Sequence, residues 1–293
     1  MSTTEIYAAT TCPEPGVYEN VPHEEYHSWN AINASGLKNI ARSPAYYKHE
    51  REHPTPPTDA MILGTAQHAA LMEPDKFKKI YVPVAGGSGL TKRKVEAEKR
   101  GQVALKDSDY QAVLDIVEAM KRHETAWGLI KAPENKIELS CVVDMAAPSG
   151  AVVRCRWRPD IVDPVEGLLI DLKSSAAAHR DTFPGQAQRY GYHTSAAFYW
   201  DCCDALAAYD EEKYGWMRQI YAYLFIVWEK TPPHEPILYR ATERFMDAGR
   251  MEYRTLLDIY ARCLTKNEWP AYPLGDVPLD LPEWYYRQKE RGY

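Results

Sequence analysis

The sequence predicts an α/β fold, a central mixed sheet flanked by helices, and three observations carry that expectation. At 293 residues and 45% hydrophobic the chain can bury a substantial core. Its centre consists of β-branched and apolar segments of strand length separated by turn signals. On either side stand stretches with the length, composition or apolar spacing of helices.

In chain order, residues 1–30 read as an irregular lead-in punctuated by Pro13, Pro15 and Pro22. Ser35 has the chemistry of an N-cap for a short helix that ends before Ser43 and Pro44, and a second short helix follows over residues 45–50. After Pro54, Pro56 and Pro57, residues 59–72 hold helix formers throughout and stop at Glu73-Pro74, with Gly64 and His68 on one face. Residues 86–101 are glycine-flanked and basic (Lys92, Arg93, Lys94, Lys99, Arg100). They precede a helix on which Val113, Ile116, Val117 and Met120 keep 3.6 spacing. Segments 136–144, 151–162 and 168–174 then read as an antiparallel meander, with turn signals at 148–150 and 163–167. Residues 183–208 are long enough for one helix, 219–229 and 237–240 form two strands about Pro232-Pro233, and 243–264 form a closing helix. The Pro-rich stretch 269–293 resumes irregular chain.

Composition excludes several classes. With 26% charged residues the chain is neither a disordered tail, a collagen-like repeat nor a fibre. The most apolar charge-free run, residues 219–228, falls far short of the roughly 18 residues a membrane span needs. Residues 1–13 lack a basic n-region and an apolar h-region, so a cytoplasmic location and no membrane association are expected. Cys12, Cys141, Cys155, Cys202, Cys203 and Cys263 include no C-x2-C pair, which favours reduced thiols over a zinc or iron–sulfur site. Net charge is −6, so any contact with DNA has to rest on local positive charge.

The informative stretch runs from Arg154 through Pro159-Asp160 and, ten residues on, to Asp171-Leu-Lys173. Strand period puts Asp171 and Lys173 on one face and Ile170 and Leu172 on the other. On the preceding strand Arg154, Arg156, Arg158 and Asp160 share a face, with Pro159 able to bend the last step. Adjacent hairpin strands can set Asp160 beside Asp171. Two neighbouring carboxylates repel unless a cation lies between them, and oxygen ligation by Asp160, Asp171 and the Leu172 carbonyl suits Mg²⁺, with Mn²⁺ able to substitute. Such an ion polarises a phosphoryl oxygen and acidifies water, while Lys173 stabilises developing charge. The chemistry implied is phosphodiester hydrolysis. Taken as a bare motif, a solvated hairpin end carrying a salt bridge is an equal alternative. Glu134-Asn-Lys136 and Glu211-Glu-Lys213 repeat the pattern without following an apolar strand.

Asp160, Asp171 and Lys173 resemble the PD-(D/E)XK nuclease signature, with Asp171 where Glu is frequent. Gln188-Arg-Tyr-Gly-Tyr192 resembles the Q-x3-Y motif of the RecB-like branch, and Gly64-Thr-Ala-Gln-His68 its G-x3-H motif. Gly16-Val-Tyr, Val21-Pro-His-Glu-Glu-Tyr26, Ser35-Gly-Leu-Lys38, Tyr190-Gly-Tyr-His193, Trp269-Pro-Ala-Tyr272 and Leu281-Pro-Glu-Trp284 resemble, in order, the RecE (exonuclease VIII) nuclease domain. The resemblance implies His68, Asp160 and Asp171 as metal ligands, Lys173 as the catalytic lysine, and Gln188 and Tyr192 as supports near the substrate phosphate. On residue type alone, His68 reads more readily as a core histidine and Gln188 with Tyr192 as a packing pair. Glu138 is a further acidic candidate, more in keeping with a surface role.

For DNA contact the candidates are Arg154, Arg156 and Arg158, which share the face of Asp160, and Lys92, Arg93 and Lys94, diluted by Glu96 and Glu98. The expected organisation is a lead-in over residues 1–15 and a single exonuclease domain over 16–293. The resemblance implies a Mg²⁺-dependent exodeoxyribonuclease on linear double-stranded DNA ends, acting 5′-to-3′ and leaving 3′ overhangs for a single-strand annealing protein in recombination, as a ring-shaped homo-oligomer. A PD-(D/E)XK endonuclease or nickase, or a catalytically silent DNA-binding module, are the alternatives.

Overall fold

The structure, a computed structural model, describes residues 12–273 and 275–290, so the lead-in expected over residues 1–15 lies largely outside the described residues. In chain order the elements are β1 (Gly16–Tyr18), α1 (His23–Ser28), α2 (Ala34–Arg42), α3 (Pro44–Glu52), α4 (Asp59–Met72), α5 (Pro74–Ile80), β2 (Tyr81–Val84), α6 (Leu90–Glu98), β3 (Val103–Lys106), α7 (Asp107–Arg122) and α8 (Glu124–Ile130). There follow β4 (Lys136–Ile137), β5 (Ser140–Ala146), β6 (Val152–Trp157), β7 (Ile161–Asp163), β8 (Leu168–Ser175), α9 (Phe183–Arg189), α10 (Tyr192–Tyr209), α11 (Glu211–Tyr214), a 3-10 turn (Gly215–Gln219), β9 (Ala222–Glu229), β10 (Pro236–Arg240), α12 (Glu243–Lys266) and α13 (Glu283–Glu290).

The central sheet has the order β10-β9-β8-β7-β4 and is mixed: β8 and β9 run parallel while the other pairs are antiparallel. A second sheet, β1-β5-β6, is antiparallel, and β2 and β3 form a parallel pair around α6. Strand alternation on β8 and β9 divides the apolar residues between two cores. Leu169, Tyr223, Phe225 and Val227 join α2, α10 and α12 on one face. Leu168, Ile170, Leu172, Leu224 and Ile226 join α4, α7 and α8 on the other.

Several expectations are corrected here. The meander is split between sheets: β6 belongs with β1 and β5, and β7 with β8. Trp157 is the last residue of β6 because Pro159 has no N–H with which to continue a ladder. Residues 136–144 break likewise at Glu138, whose φ of 46° is incompatible with extended chain. Asn33, not Ser35, caps α2, its side-chain oxygen accepting the Gly36 N–H at 2.8 Å. The single helix over 183–208 is two, because Gly191 adopts φ 61° between α9 and α10. Residues 16–28, expected as irregular chain, contribute β1, paired with β5, and α1, whose Tyr26 packs with Trp29 on Val142. Residues 90–98 are helical, and the irregular end contains α13.

Helix α12 lies tightly on the start of α10. A Cβ built at Gly249 would fall 2.0 Å from the His193 carbonyl oxygen. Helix propensity alone favours Gly249→Ala by about 1 kcal/mol, but a methyl group against fixed backbone forces the helices apart at about 1–3 kcal/mol. Gly249→Ala is therefore expected to lower stability to urea by about 1–2 kcal/mol. A stabilised variant would show that this contact is looser than described.

Candidate active site

Asp171 and Lys173 project from the face of β8 that looks toward α2 and α10. Lys173 Nζ donates to Asp171 Oδ1 at 2.5 Å and to the Leu172 carbonyl at 3.2 Å. Asp160 arrives from the crossing between β6 and β7. Pairing of β7 with β8 ends at Ile161 and Ile170, and beyond it the Asp160 Oδ2 accepts the Leu172 N–H at 2.7 Å. Glu138 donates its N–H to the Asp160 carbonyl at 3.0 Å. On α4, His68 sets Nδ1 3.5 Å from Asp160 Oδ1, and its ring meets Trp228 edge-on at 6.2 Å. One turn earlier, a Cβ on Gly64 would meet nothing within 4 Å, so space is open beside His68.

The charges are unequal in their comfort. Burial, reinforced by the negative charge of Asp160, pushes the Asp171 carboxyl above its ordinary range despite Lys173. Burial works against the charged form of Asp160 too, but His68 and Lys173 outweigh it and hold Asp160 low. Burial likewise opposes charge on His68, where Asp160 prevails and raises the pKa. For Lys173, Asp171 and Asp160 overcome burial and keep the ammonium protonated.

Among the described residues no three His, Cys, Asp or Glu side chains form a ready-made metal cage. The donors nevertheless fit a hard divalent cation, which needs only one or two carboxylates and keeps several waters. A cationic group, the Lys173 ammonium, already bridges the Asp171 carboxylate and the Leu172 carbonyl. Asp160 and Asp171 lie near enough for each to bias the other's protonation.

The supporting residues differ from expectation. Tyr192 stands at the start of α10 with its ring centroid 5.5 Å from Lys173 Nζ. Gln188 is exposed on α9 and does not share a helix with Tyr192. It is Gln186 whose side-chain oxygen accepts the Ser175 hydroxyl, on the same strand face as Asp171 and Lys173. The signal was present, since Gln186 and Tyr190 keep the Q-x3-Y spacing two residues earlier. Lys38 on α2 also reaches the site, 5.8 Å from the centroid of the same Tyr192 ring. Glu138 is half-buried, 3.9 Å from Lys76.

The arginine row is not presented to this site. Arg154 bonds Asp144 at 2.5 Å and the Pro13 carbonyl at 2.6 Å. Arg156 is buried and donates to the Tyr26 carbonyl. Arg158 donates to Ser140 Oγ at 2.6 Å and the Val21 carbonyl at 3.1 Å. Both Arg156 and Arg158 stack on Tyr26, at 4.7 and 4.1 Å from its centroid. The row therefore anchors residues 13–26, because β6 ends before Arg158 and Asp160 can line up with it. On α6, Arg93 donates to the Ala85, Gly86 and Ser88 carbonyls and Lys94 bonds Asp59 at 2.7 Å, while Lys92 is exposed.

Residues 33–275 match the family described as a PDDEXK-like domain of unknown function, DUF3799. In architecture the chain is similar to a solved structure from Eubacterium rectale named "Putative exonuclease", with a TM-score of 0.56 at 15% identity over 90% of this chain and 96% of that one. It is also similar to a phage-related exonuclease from Haemophilus somnus 129PT, at 13% identity over 81% of this chain and 96% of that one, with a TM-score of 0.34. No curated protein matches the sequence. With a mixed sheet that carries Asp171 and Lys173 and sets Asp160 at the entry to β7, inside a match covering most of its length, the chain has a PD-(D/E)XK core and belongs to the PDDEXK-like DUF3799 family.

Proposed function

We propose that the protein is a RecE-like, Mg²⁺-dependent exodeoxyribonuclease that acts on the ends of linear double-stranded DNA. The single observation that carries this reading is the convergence of Asp160, Asp171 and Lys173 on the rigid edge of β7 and β8, as phosphodiester hydrolysis requires. The ordered RecE-like motifs, together with the exonuclease name of the Eubacterium rectale neighbour, favour an exonuclease over an endonuclease or nickase. On the same resemblance the enzyme degrades the 5′-ended strand, leaves a 3′ overhang for a single-strand annealing protein and works as a ring-shaped homo-oligomer. Mn²⁺ should substitute for Mg²⁺.

Asp160 and Asp171 would hold the cation, with His68 and the Leu172 carbonyl completing its protein ligands. When bound, the ion supplies Lewis-acid activation of water and of the phosphoryl oxygens. Asp160 is fixed for this task by the Leu172 N–H and His68. Lys173 keeps its proton at neutral pH, so its ammonium serves as a charge stabiliser for the phosphorane-like transition state rather than as a base. Tyr192 walls the approach to Lys173 with an aromatic face, and Gln186 anchors the end of β8 through Ser175.

Asp160→Ala and Asp171→Ala should each abolish cleavage of a linear duplex, and Lys173→Met should lower kcat by about 10²- to 10³-fold at saturating Mg²⁺. Full turnover in any of them would refute the site. In single-turnover cleavage Gln186→Ala is expected to slow the reaction by about tenfold and Gln188→Ala by less than about twofold; the reverse order would restore Gln188 to the role the sequence suggested. Covalently closed DNA should resist cleavage, and rapid cutting of it would favour the endonuclease.

The Asp171 carboxyl and the His68 imidazole both have raised pKa values, so toward the acid end of the neutral range a larger fraction of each carries a proton that cation uptake must displace. Protons leave more readily as pH rises, so Mg²⁺ affinity should strengthen from pH 5.5 toward pH 8, by up to about tenfold per unit for each proton released. Calorimetric titration of Mg²⁺ across that window measures it. A flat profile would show that neither proton is displaced.

A further inference from the structure

A second lysine faces the candidate active site. Lys38 is half-buried on α2, and its stem lies across the Gly191 turn: a Cβ at Gly191 would meet Lys38 Cε at 3.2 Å and Cδ at 3.6 Å. The ammonium sits 5.8 Å from the Tyr192 ring centroid, and Lys173 Nζ sits 5.5 Å from that same centroid. Two cations therefore lie close to one aromatic ring. The carboxylates nearby are already engaged, Asp171 by Lys173 at 2.5 Å and Glu252 by His193 at 2.6 Å. Among the described residues Lys38 makes no ion pair and no hydrogen bond; its charged neighbours are Lys173, Asp171 and Glu252.

A half-buried ammonium beside another cation is an unfavourable arrangement in the free protein. Burial, and then the charge of Lys173, lower the pKa of Lys38 to about 8. Such surroundings favour an anion beside Lys38, one that Lys38 can meet at the rim of Tyr192 while Lys173 serves the reacting centre. The backbone of a nucleic-acid strand carries one phosphate per nucleotide, so a strand with one phosphate at the reacting centre brings further phosphates alongside it.

We propose that Lys38 is a substrate-contacting residue of the active site, taking a non-bridging oxygen of a DNA phosphate next to the one that Lys173 serves. The inference rests on the nuclease reading above. It gives Lys38 a role in holding the strand, while Lys173 acts in the transition state. Loss of Lys38 thus falls on binding and KM, loss of Lys173 on kcat.

The test uses the full chain with Lys38→Met, which keeps the apolar stem, Lys38→Arg, which keeps the charge, and Lys173→Met for contrast. Binding of a fluorescein-labelled linear duplex is followed by anisotropy in Ca²⁺ over a KCl series, and cleavage in Mg²⁺ under single turnover. Lys38→Met should weaken binding about tenfold and make the slope of log K against log [salt] shallower by about 0.9, the release expected for one lost phosphate contact. Its kcat should fall far less than that of Lys173→Met, and Lys38→Arg should stay within about threefold of the wild type in affinity. An unchanged salt slope in Lys38→Met overturns the proposal, as does a loss confined to kcat. Should the methionine variant melt at a lower temperature, the slope measured on its folded fraction still decides. A wild type that binds duplex through Lys38 without cutting it would refute the nuclease reading and leave the phosphate contact standing. A wild type that cuts, with Lys38→Met binding as tightly, would do the opposite.

Discussion

Placing the Asp160 carboxylate against the strand that carries Asp171 is electrostatically unfavourable, and the architecture around the pair consists largely of what makes it tolerable. One oxygen of Asp160 takes the Leu172 N–H that β7 leaves unpaired, and the other faces His68. Asp171 is left with Lys173. The balance is incomplete, because Asp171 still has a raised pKa and Lys173 must serve two oxygens at once. A pocket with this imbalance gains from a further positive charge, which on the proposed reading a divalent cation supplies.

The pair exists because the chain changes sheets at a proline. β6 ends at Trp157 in one sheet, Pro159 removes the N–H that would extend it, and β7 begins at Ile161 in another. Asp160 falls in the gap, so its carboxylate is free of strand alternation and can turn toward Leu172. A continuous strand would have bound Asp160 to the same alternation as Arg154 and Arg156. The same break explains why those arginines stay behind with Tyr26 and the first strand.

What the sequence made legible was what depends on local period. Asp171 and Lys173 share a face because side chains alternate along any strand, and Asp160 lies opposite them because the intervening residues form a short hairpin. The strands β8 to β10 followed from apolar, β-branched runs between turn signals, α7 from apolar spacing, and α4 from its run of helix formers up to Glu73-Pro74. The partner of each strand was not legible, since pairing β1 with β5 joins residues more than a hundred positions apart. Nor was the break at Gly191, where a single residue with φ 61° interrupts a stretch of helix formers. That break separates Gln188 from Tyr192, and it is Gln186 on the same helix as Gln188 that bonds Ser175. Lys38 was visible only as part of a motif, because nothing in α2 by itself says that its side chain ends beside Tyr192.

The overall acidity of the chain bears on how a polyanion could be drawn to it. Arg154, Arg156 and Arg158 are committed to carbonyls, Asp144 and Tyr26, so they contribute little free positive potential. At the site itself Asp160 and Asp171 face Lys173, His68 and, at the rim, Lys38, which leaves the pocket near electrical balance. A divalent cation added to the carboxylates would tip that balance to positive, and in a partly desolvated pocket a bound ion is the largest local charge. On the proposed reading, attraction of the DNA strand is therefore conditional on the same ion that activates the chemistry. The net charge of −6 then works against non-specific adhesion of DNA elsewhere on the surface, and the strand is favoured only where the carboxylates have been neutralised.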